Sequence, residues 1–216
     1  MLRNIFAGGF GFQDVIMGLL RIIAVLFAIS VHEMSHGFMA YKLGDNTAKY
    51  DGRLSLNPLR HIDIFGALCM LFFGFGWAKP VRVNANYFKN VKRGVVLTSL
   101  AGPLSNFLMA LLGMVILLHI CPLFNNIYIY QFFLMFIMLN IGLGVFNLIP
   151  IPPLDGSKIF LSLLPRRIYY EIMRYEQFGF IVLIIALYLG VLDPVLDFLT
   201  SGLSTVLFYC AGGGLI

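Results

Sequence analysis

The chain has 216 residues, a formal net charge of +5, 60% hydrophobic residues and a mean hydropathy of +0.90. Soluble domains are about 45–50% apolar, so a water-soluble globular protein is excluded, and the length predicts one compact bundle without a separate soluble domain. The basic excess does not argue for nucleic acid, because Lys and Arg fall in short loops between apolar segments, where membrane proteins set their orientation.

The first apolar segment runs from about Val15 to Leu43. As one helix it is about 45 Å long, enough to cross a bilayer with an overhang. Arg21 can snorkel to one interface, and Lys42 lies at the other. Gly44 to Asp63, "GDNTAKYDGRLSLNPLRHID", is polar, with DG and NP turn signals and an alternating patch. It is predicted to form short strands at the membrane surface. Ile64 to Trp77 is apolar but short for a span, and reads as re-entrant. In "AKPVRVNANYFKNVKR" the alternation of "VRVNANYF" predicts a second edge strand. Val95–Ile120 and Ile127–Ile149 read as full spans. Pro150, Pro152 and Pro153 then break the pattern. Phe178–Leu192 reads as a further span, and Leu199–Cys210 as a segment that re-enters or lies in the interface. The expected fold is an all-α polytopic membrane protein, a bundle of about four to six membrane segments with a small membrane-associated β-sheet and re-entrant region.

Thirteen of the fifteen Lys and Arg lie in Lys42–Asp63, Lys79–Arg93 and Lys158–Arg174. The positive-inside rule makes these loops cytoplasmic and the N-terminus external. Cys69, Cys121 and Cys210 are far apart with no CxxC, so they read as reduced packing residues. No cleaved signal peptide is expected. Trp77, Tyr87 and Phe88 read as interfacial anchors, and Gly113 and Gly142 as sites of close helix contact. Ser35, Ser105 and Ser157 have no evident base partner, which disfavours serine catalysis.

Chemistry enters at "HEMSH", His32 to His36, inside the first span. On a helix the two histidines are one turn apart on one face, so both imidazoles can reach one metal ion. Glu33 is offset and can hold a water. Zn2+ suits the pattern: it takes nitrogen and oxygen ligands, keeps a position open, and lowers the pKa of its water to about 7. Each ionisable residue here costs about 2.5–3.5 kcal/mol, which argues that the cluster has a use. A third ligand is needed. His119 falls at the opposite membrane face. His61 lies in a loop on the right side and stays open. Asp155, in "NLIPIPPLDG", is the better candidate, because the prolines unwind the chain where an active site needs a cavity.

These stretches resemble the site-2 protease family of intramembrane zinc metalloproteases. The likeness is carried by His32-Glu33-x-x-His36, by Asn147-x-x-Pro150 with Asp155-Gly156, and by Gly102 and Asn106 of "AGPLSN" as a G-x-x-x-N motif. It covers about residues 20 to 165. The resemblance implies His32, His36 and Asp155 as ligands of one catalytic Zn2+, Glu33 as general base, and Asn106 and Asn147 as polar active-site residues. It also implies a membrane-embedded sheet near the site, where Lys79, Pro80, Val81 and Val83 would bind an unwound substrate by strand addition. No PDZ or CBS domain is expected, so selection falls to the membrane core, its loops or a partner protein.

The expected protein is a single transmembrane metalloprotease domain over residues 1–216, with C-terminal membrane segments at about 176–212. It would cut single-span membrane proteins near the cytoplasmic face of a prokaryotic cell membrane, as in regulated intramembrane proteolysis. Transmembrane substrates and lipid are its expected partners, with a homo-oligomer or regulatory protein also open. The alternatives are a metal-binding transporter, which would spread polar residues over several spans, and an inactive protease-like scaffold, which would commonly lose one of the motif residues.

Overall fold

The computed structural model describes residues 11–61, 63 and 79–214. Three helices are long and apolar enough to cross a membrane. The first, α1, is Phe12–Lys42, 31 residues long. Its buried stripe is Ala24, Ala28, His32, His36 and Ala40, spaced by four. Such an i±4 ridge of small residues lets a neighbouring helix approach closely, and the two histidines stand in line with it. A short helix α2, Thr47–Tyr50, follows. The second long helix, α3, is Val91–His119, started by Asn90, whose Oδ1 accepts from Arg93 N. It buries Gly94, Thr98, Gly102, Asn106 and Ala110, again spaced by four, while Leu104, Leu108 and Leu112 face outward. The third, α4, is Ile127–Asn147, capped by Asn126.

Helix α3 is central. It packs against α1, against α4, against the short helix α5 (Asp155–Leu161) and against α8 (Asp193–Cys210). An apolar core of Ala110, Met114, Leu117, Ile137, Ile141, Val145 and Leu207 holds α3, α4 and α8 together. Gly113 meets Ile137 and Phe136 closely, as expected, whereas Gly142 has open space beside it. Between α5 and α8 come α6, Arg166–Arg174, and α7, Glu176–Tyr188. The expected span Phe178–Leu192 is therefore a helix of only 13 residues, bent by 83° against α8. Gly190 sits at this break with φ +67°. The described residues thus hold three membrane-length helices, or four if the bent pair is one span, below most of the range expected from the sequence. The segment expected to be re-entrant, Ile64–Trp77, lies outside the described residues.

The expected β-sheet is not formed among the described residues. Gly44–Asp63 contains α2 and a 3-10 turn at Pro58–Arg60, and Lys79–Phe88 ends in a second 3-10 turn at Ala85–Tyr87. The physical reason is local. Asn57 Oδ1 accepts from Leu59 N, and Asn84 Oδ1 accepts from Asn86 N, so Asn side chains close turns where a ladder would need a free backbone. Pro80 has no N–H to offer a ladder. Residues 79–83 remain without helix, tied at one end by Lys79 N donating to His61 O at 2.8 Å.

The other end is held by Asp45, which is fully buried. It accepts from Thr47 N at 2.9 Å, from the Thr47 hydroxyl, and from Asn84 N at 2.7 Å. The end of α1 is thereby fastened to the segment that crosses the site. Asp45→Ala leaves two backbone N–H groups without acceptors, at about 1–3 kcal/mol each. We expect a lower melting temperature in detergent and faster proteolysis between Lys79 and Tyr87; unchanged melting and proteolysis would show that Asp45 does not hold this segment.

Candidate metal centre

His32 and His36 project from one face of α1 toward Asp155, the first residue of α5. All three are buried. Asp155 arrives there because the chain cannot continue α4 through Pro150, Pro152 and Pro153. Ile149 and Leu154 pin that irregular stretch against Leu183 of α7. Gly156 follows because a Cβ there would lie 2.2 Å from the carbonyl oxygen of Leu148. The "LDG" sequence thus folds back on the end of its own span.

The three ligand atoms form a small triangle. His32 Nε2 is 3.0 Å from His36 Nε2, and Asp155 Oδ2 is 3.2 Å from the first and 3.1 Å from the second. With ligand bonds of about 2.0–2.1 Å, neighbouring ligands of a tetrahedral zinc stand roughly 3.3 Å apart. The opposite ring nitrogens decide what these atoms are. His36 Nδ1 is 2.7 Å from the carbonyl oxygen of Thr98, and His32 Nδ1 is 2.6 Å from Asn106 Oδ1. Those oxygens accept, so each Nδ1 carries the proton and each neutral ring leaves Nε2 as a bare lone pair. Two imidazole lone pairs and a carboxylate oxygen at about 3 Å repel one another unless a cation joins them. The donor set fits Zn2+. A carboxylate binds a metal in its ionised form.

Gly102 explains the room at the centre. A Cβ there would sit 2.4 Å from His36 Nε2 and 2.7 Å from His32 Cε1. No other side chain could occupy this position of α3 without moving both rings.

Glu33 lies off the histidine line and is half-buried. Its Oε2 accepts from Val81 N at 2.9 Å. Of the segment expected to bind substrate, Val81 is thus at the site, Lys79 is tied to His61, and Pro80 and Val83 are exposed beside them. Asn106 is brought to His32, whereas Asn147 bonds to the Leu143 carbonyl of its own helix at 2.9 Å, with no bond to the cluster among the described residues. His61 is buried elsewhere, against the Ser55 carbonyl, and His119 bonds to the Ala211 carbonyl. Neither joins the cluster, which among the described residues is the one group of three or more His, Cys, Asp or Glu able to share an ion.

Two contributors were not anticipated from the sequence. The Thr98 carbonyl is a backbone atom and leaves no mark in sequence. Asn140, fully buried in α4, accepts from Asn106 Nδ2 at 3.0 Å. Its signal was present: a lone amide in the apolar run "FFLMFIMLNIGLGVF", two turns before Asn147.

Residues 122–189 match Peptidase family M50. Over 171 residues the chain is 41% identical to "Putative zinc metalloprotease YwhC" of Bacillus subtilis, covering 76% of this chain and 78% of that one. It is 33% identical over 138 residues to "Putative zinc metalloprotease Rip2" of Mycobacterium tuberculosis, covering 61% of this chain and 52% of that protein. With "Putative zinc metalloprotease MJ0611" of Methanocaldococcus jannaschii it shares 28% identity over 151 residues, 68% of this chain and 71% of the relative. No solved structure matches the chain.

Gly102→Ala and Asp155→Ala should both lose bound zinc, the first by filling the centre and the second by removing a ligand, whereas Glu33→Gln should keep about one ion per chain. Metal analysis of the detergent-purified proteins reads all three. Full zinc in either alanine variant contradicts the geometry.

Proposed function

The chain belongs to Peptidase family M50, the site-2 protease family, and from that premise we propose that it is an intramembrane zinc endopeptidase that cuts single-span membrane proteins near the cytoplasmic face. The observation that carries this reading is the triangle of His32, His36 and Asp155 lying between membrane-length helices with Glu33 beside it. In this reading His32, His36 and Asp155 hold one Zn2+. Bound there, the ion supplies Lewis acidity toward a carbonyl oxygen and makes water basic near neutral pH.

Glu33 is the general base. It takes a proton from the attacking water and passes it to the leaving amine nitrogen as the peptide bond breaks. Its contact with Val81 N supports a role for the 79–83 segment as the place where substrate is laid out. A helical substrate must unwind to expose its carbonyls, and Val81 N–H, now given to Glu33, is the donor an extended substrate strand would take. Lys79, Pro80 and Val83 extend the same strip. Asn147, the last residue of α4, precedes the proline stretch in the chain and is proposed as a substrate contact.

The cytoplasmic placement is supported by charge. Lys42, Lys79 and Lys158 follow His36, precede Val81 and follow Asp155, and belong to the three basic stretches of the chain. An apolar groove between α1 and α4, lined by Val25, Ile29, Met138, Gly142 and Phe146, reaches within three residues of His32. It supports lateral approach of a membrane-held substrate. On this reading the partners are single-span proteins and the bilayer, with selection by the core, its loops or a regulatory partner. Release of a membrane-held factor by regulated intramembrane proteolysis is the biology that follows.

Proteoliposomes containing the protein and a panel of labelled single-span substrates test this. The wild type should release fragments that end inside the span near the basic-loop side. Glu33→Gln should cut about 10²–10⁴-fold more slowly while retaining zinc. Undiminished cleavage by Glu33→Gln, or a zinc-loaded wild type that cuts none of the panel, would reject the assignment.

A further inference from the structure

We propose that Asn140 and Asn106 form a positioning relay that fixes the tautomer of His32, so that its Nε2 lone pair is turned toward the metal; the inference rests on the assignment of His32 as a ligand. The two histidines are oriented by different means. His36 Nδ1 meets the carbonyl of Thr98, an atom that can only accept. His32 Nδ1 meets the side-chain amide of Asn106, whose two ends accept or donate according to how the group is turned. Something must decide that turn.

The surroundings of Asn106 decide it. Asn106 and Asn140 are both fully buried, on α3 and α4. Asn140 Nδ2 donates to the Phe136 carbonyl one turn back at 2.9 Å, which directs its Oδ1 toward α3. Asn106 Nδ2 donates to that Oδ1 at 3.0 Å and to the Ala28 carbonyl of α1 at 3.4 Å. The donor end of Asn106 is thereby committed, and its Oδ1 is left facing His32 at 2.6 Å. Reversing the Asn106 amide would set its oxygen against two acceptors, Asn140 Oδ1 and the Ala28 carbonyl, in an apolar interior. The chain of bonds therefore has one direction, running from the backbone carbonyls of Phe136 and Ala28 to the imidazole. Were it reversed, Asn106 would present N–H to Nδ1, the His32 proton would move to Nε2, and the ligand atom would be blocked.

Asn140 thus acts through Asn106, two bonds removed from the ring. A role in packing alone makes a different prediction, because a carboxylate at position 106 accepts from His32 Nδ1 whichever way it is turned. It needs no orientation by Asn140. Zinc affinity, measured on full-length protein in detergent by competition with a chromogenic chelator, separates the two. Asn140→Leu should weaken zinc binding about 10–100-fold. In an Asn106→Asp background the same Asn140→Leu change should not weaken binding, because the second carboxylate oxygen gains nothing from the acceptor Asn140 Oδ1. Equal losses in both backgrounds, or no loss from Asn140→Leu in the otherwise wild-type protein, would overturn the relay.

A measurement without substitution guards against a variant that fails to fold. Nitrogen-15 spectra of histidine-labelled, zinc-loaded wild type should show His32 protonated at Nδ1 and bound through Nε2. A His32 ring protonated at Nε2 or bound through Nδ1 overturns the proposal. Asp155→Ala serves as the control for the site itself. If it loses zinc while Asn140→Leu does not, the relay alone fails. If it binds as the wild type does, the ligand assignment fails.

Discussion

Three electron pairs converge at about 3 Å inside an apolar bundle, two from imidazoles and one from a carboxylate, and the rest of the architecture follows from making that tolerable. Lone pairs so placed repel in any medium, and in hydrocarbon no water relieves them. A divalent cation resolves the conflict. The price is geometric: each imidazole must be held with its proton on the far side, and the carboxylate must be brought against both. Hence the small-residue stripe of α1, which brings the histidines against α3, and Gly102, whose missing side chain leaves the centre free. The third donor comes from a chain that three prolines have unwound, anchored by Ile149 and Leu154 on Leu183.

The same constraint explains which polar groups lie deep in the bundle. Asn106 and Asn140 would each be costly alone in lipid, and interhelical hydrogen bonds between such groups contribute only modestly to stability. Joined to one another, to two backbone carbonyls and to His32, they leave no described partner unmatched. Their placement makes sense as orientation of a ligand more than as adhesion between α3 and α4, which already share a large apolar core.

Much of this was legible in the sequence where the signal is local and periodic. The i, i+4 spacing of His32 and His36 specifies a shared helix face, and the prolines before Asp155 specify that a carboxylate can leave the helix at the right depth. The long apolar runs gave α1, α3 and α4 nearly to their ends. Other features were not legible because they depend on what the backbone meets in three dimensions. Alternation in "RLSL" and "VRVN" is too short to prevail over Asn57 and Asn84, which close their own turns. The run from Phe178 onward is apolar enough for a span, yet it turns by 83° beside Gly190. Asn147 stood in a recognised motif and Asn140 did not, although Asn140 is the one bonded into the site. A lone amide in an apolar run carries no direction until its neighbours are known.

The arrangement on α1 also separates two tasks that would otherwise interfere. Successive residues on a helix are about 100° apart, so His32 and His36 face α3 while Glu33 turns away toward the 79–83 segment. The α3 side is filled by Asn106, Thr98 and Gly102, which fix protons and leave no space for a peptide. The Glu33 side meets the backbone N–H of Val81, and Lys79, Pro80 and Val83 beside it are exposed. In the proposed function a substrate backbone replaces that contact while the bonds that orient the histidines stay in place. The contacts that orient the histidines and the contact of Glu33 therefore lie on adjacent faces of one helix, and in the proposed function the face that admits water and an unwound peptide is the one whose polar contact is easiest to exchange.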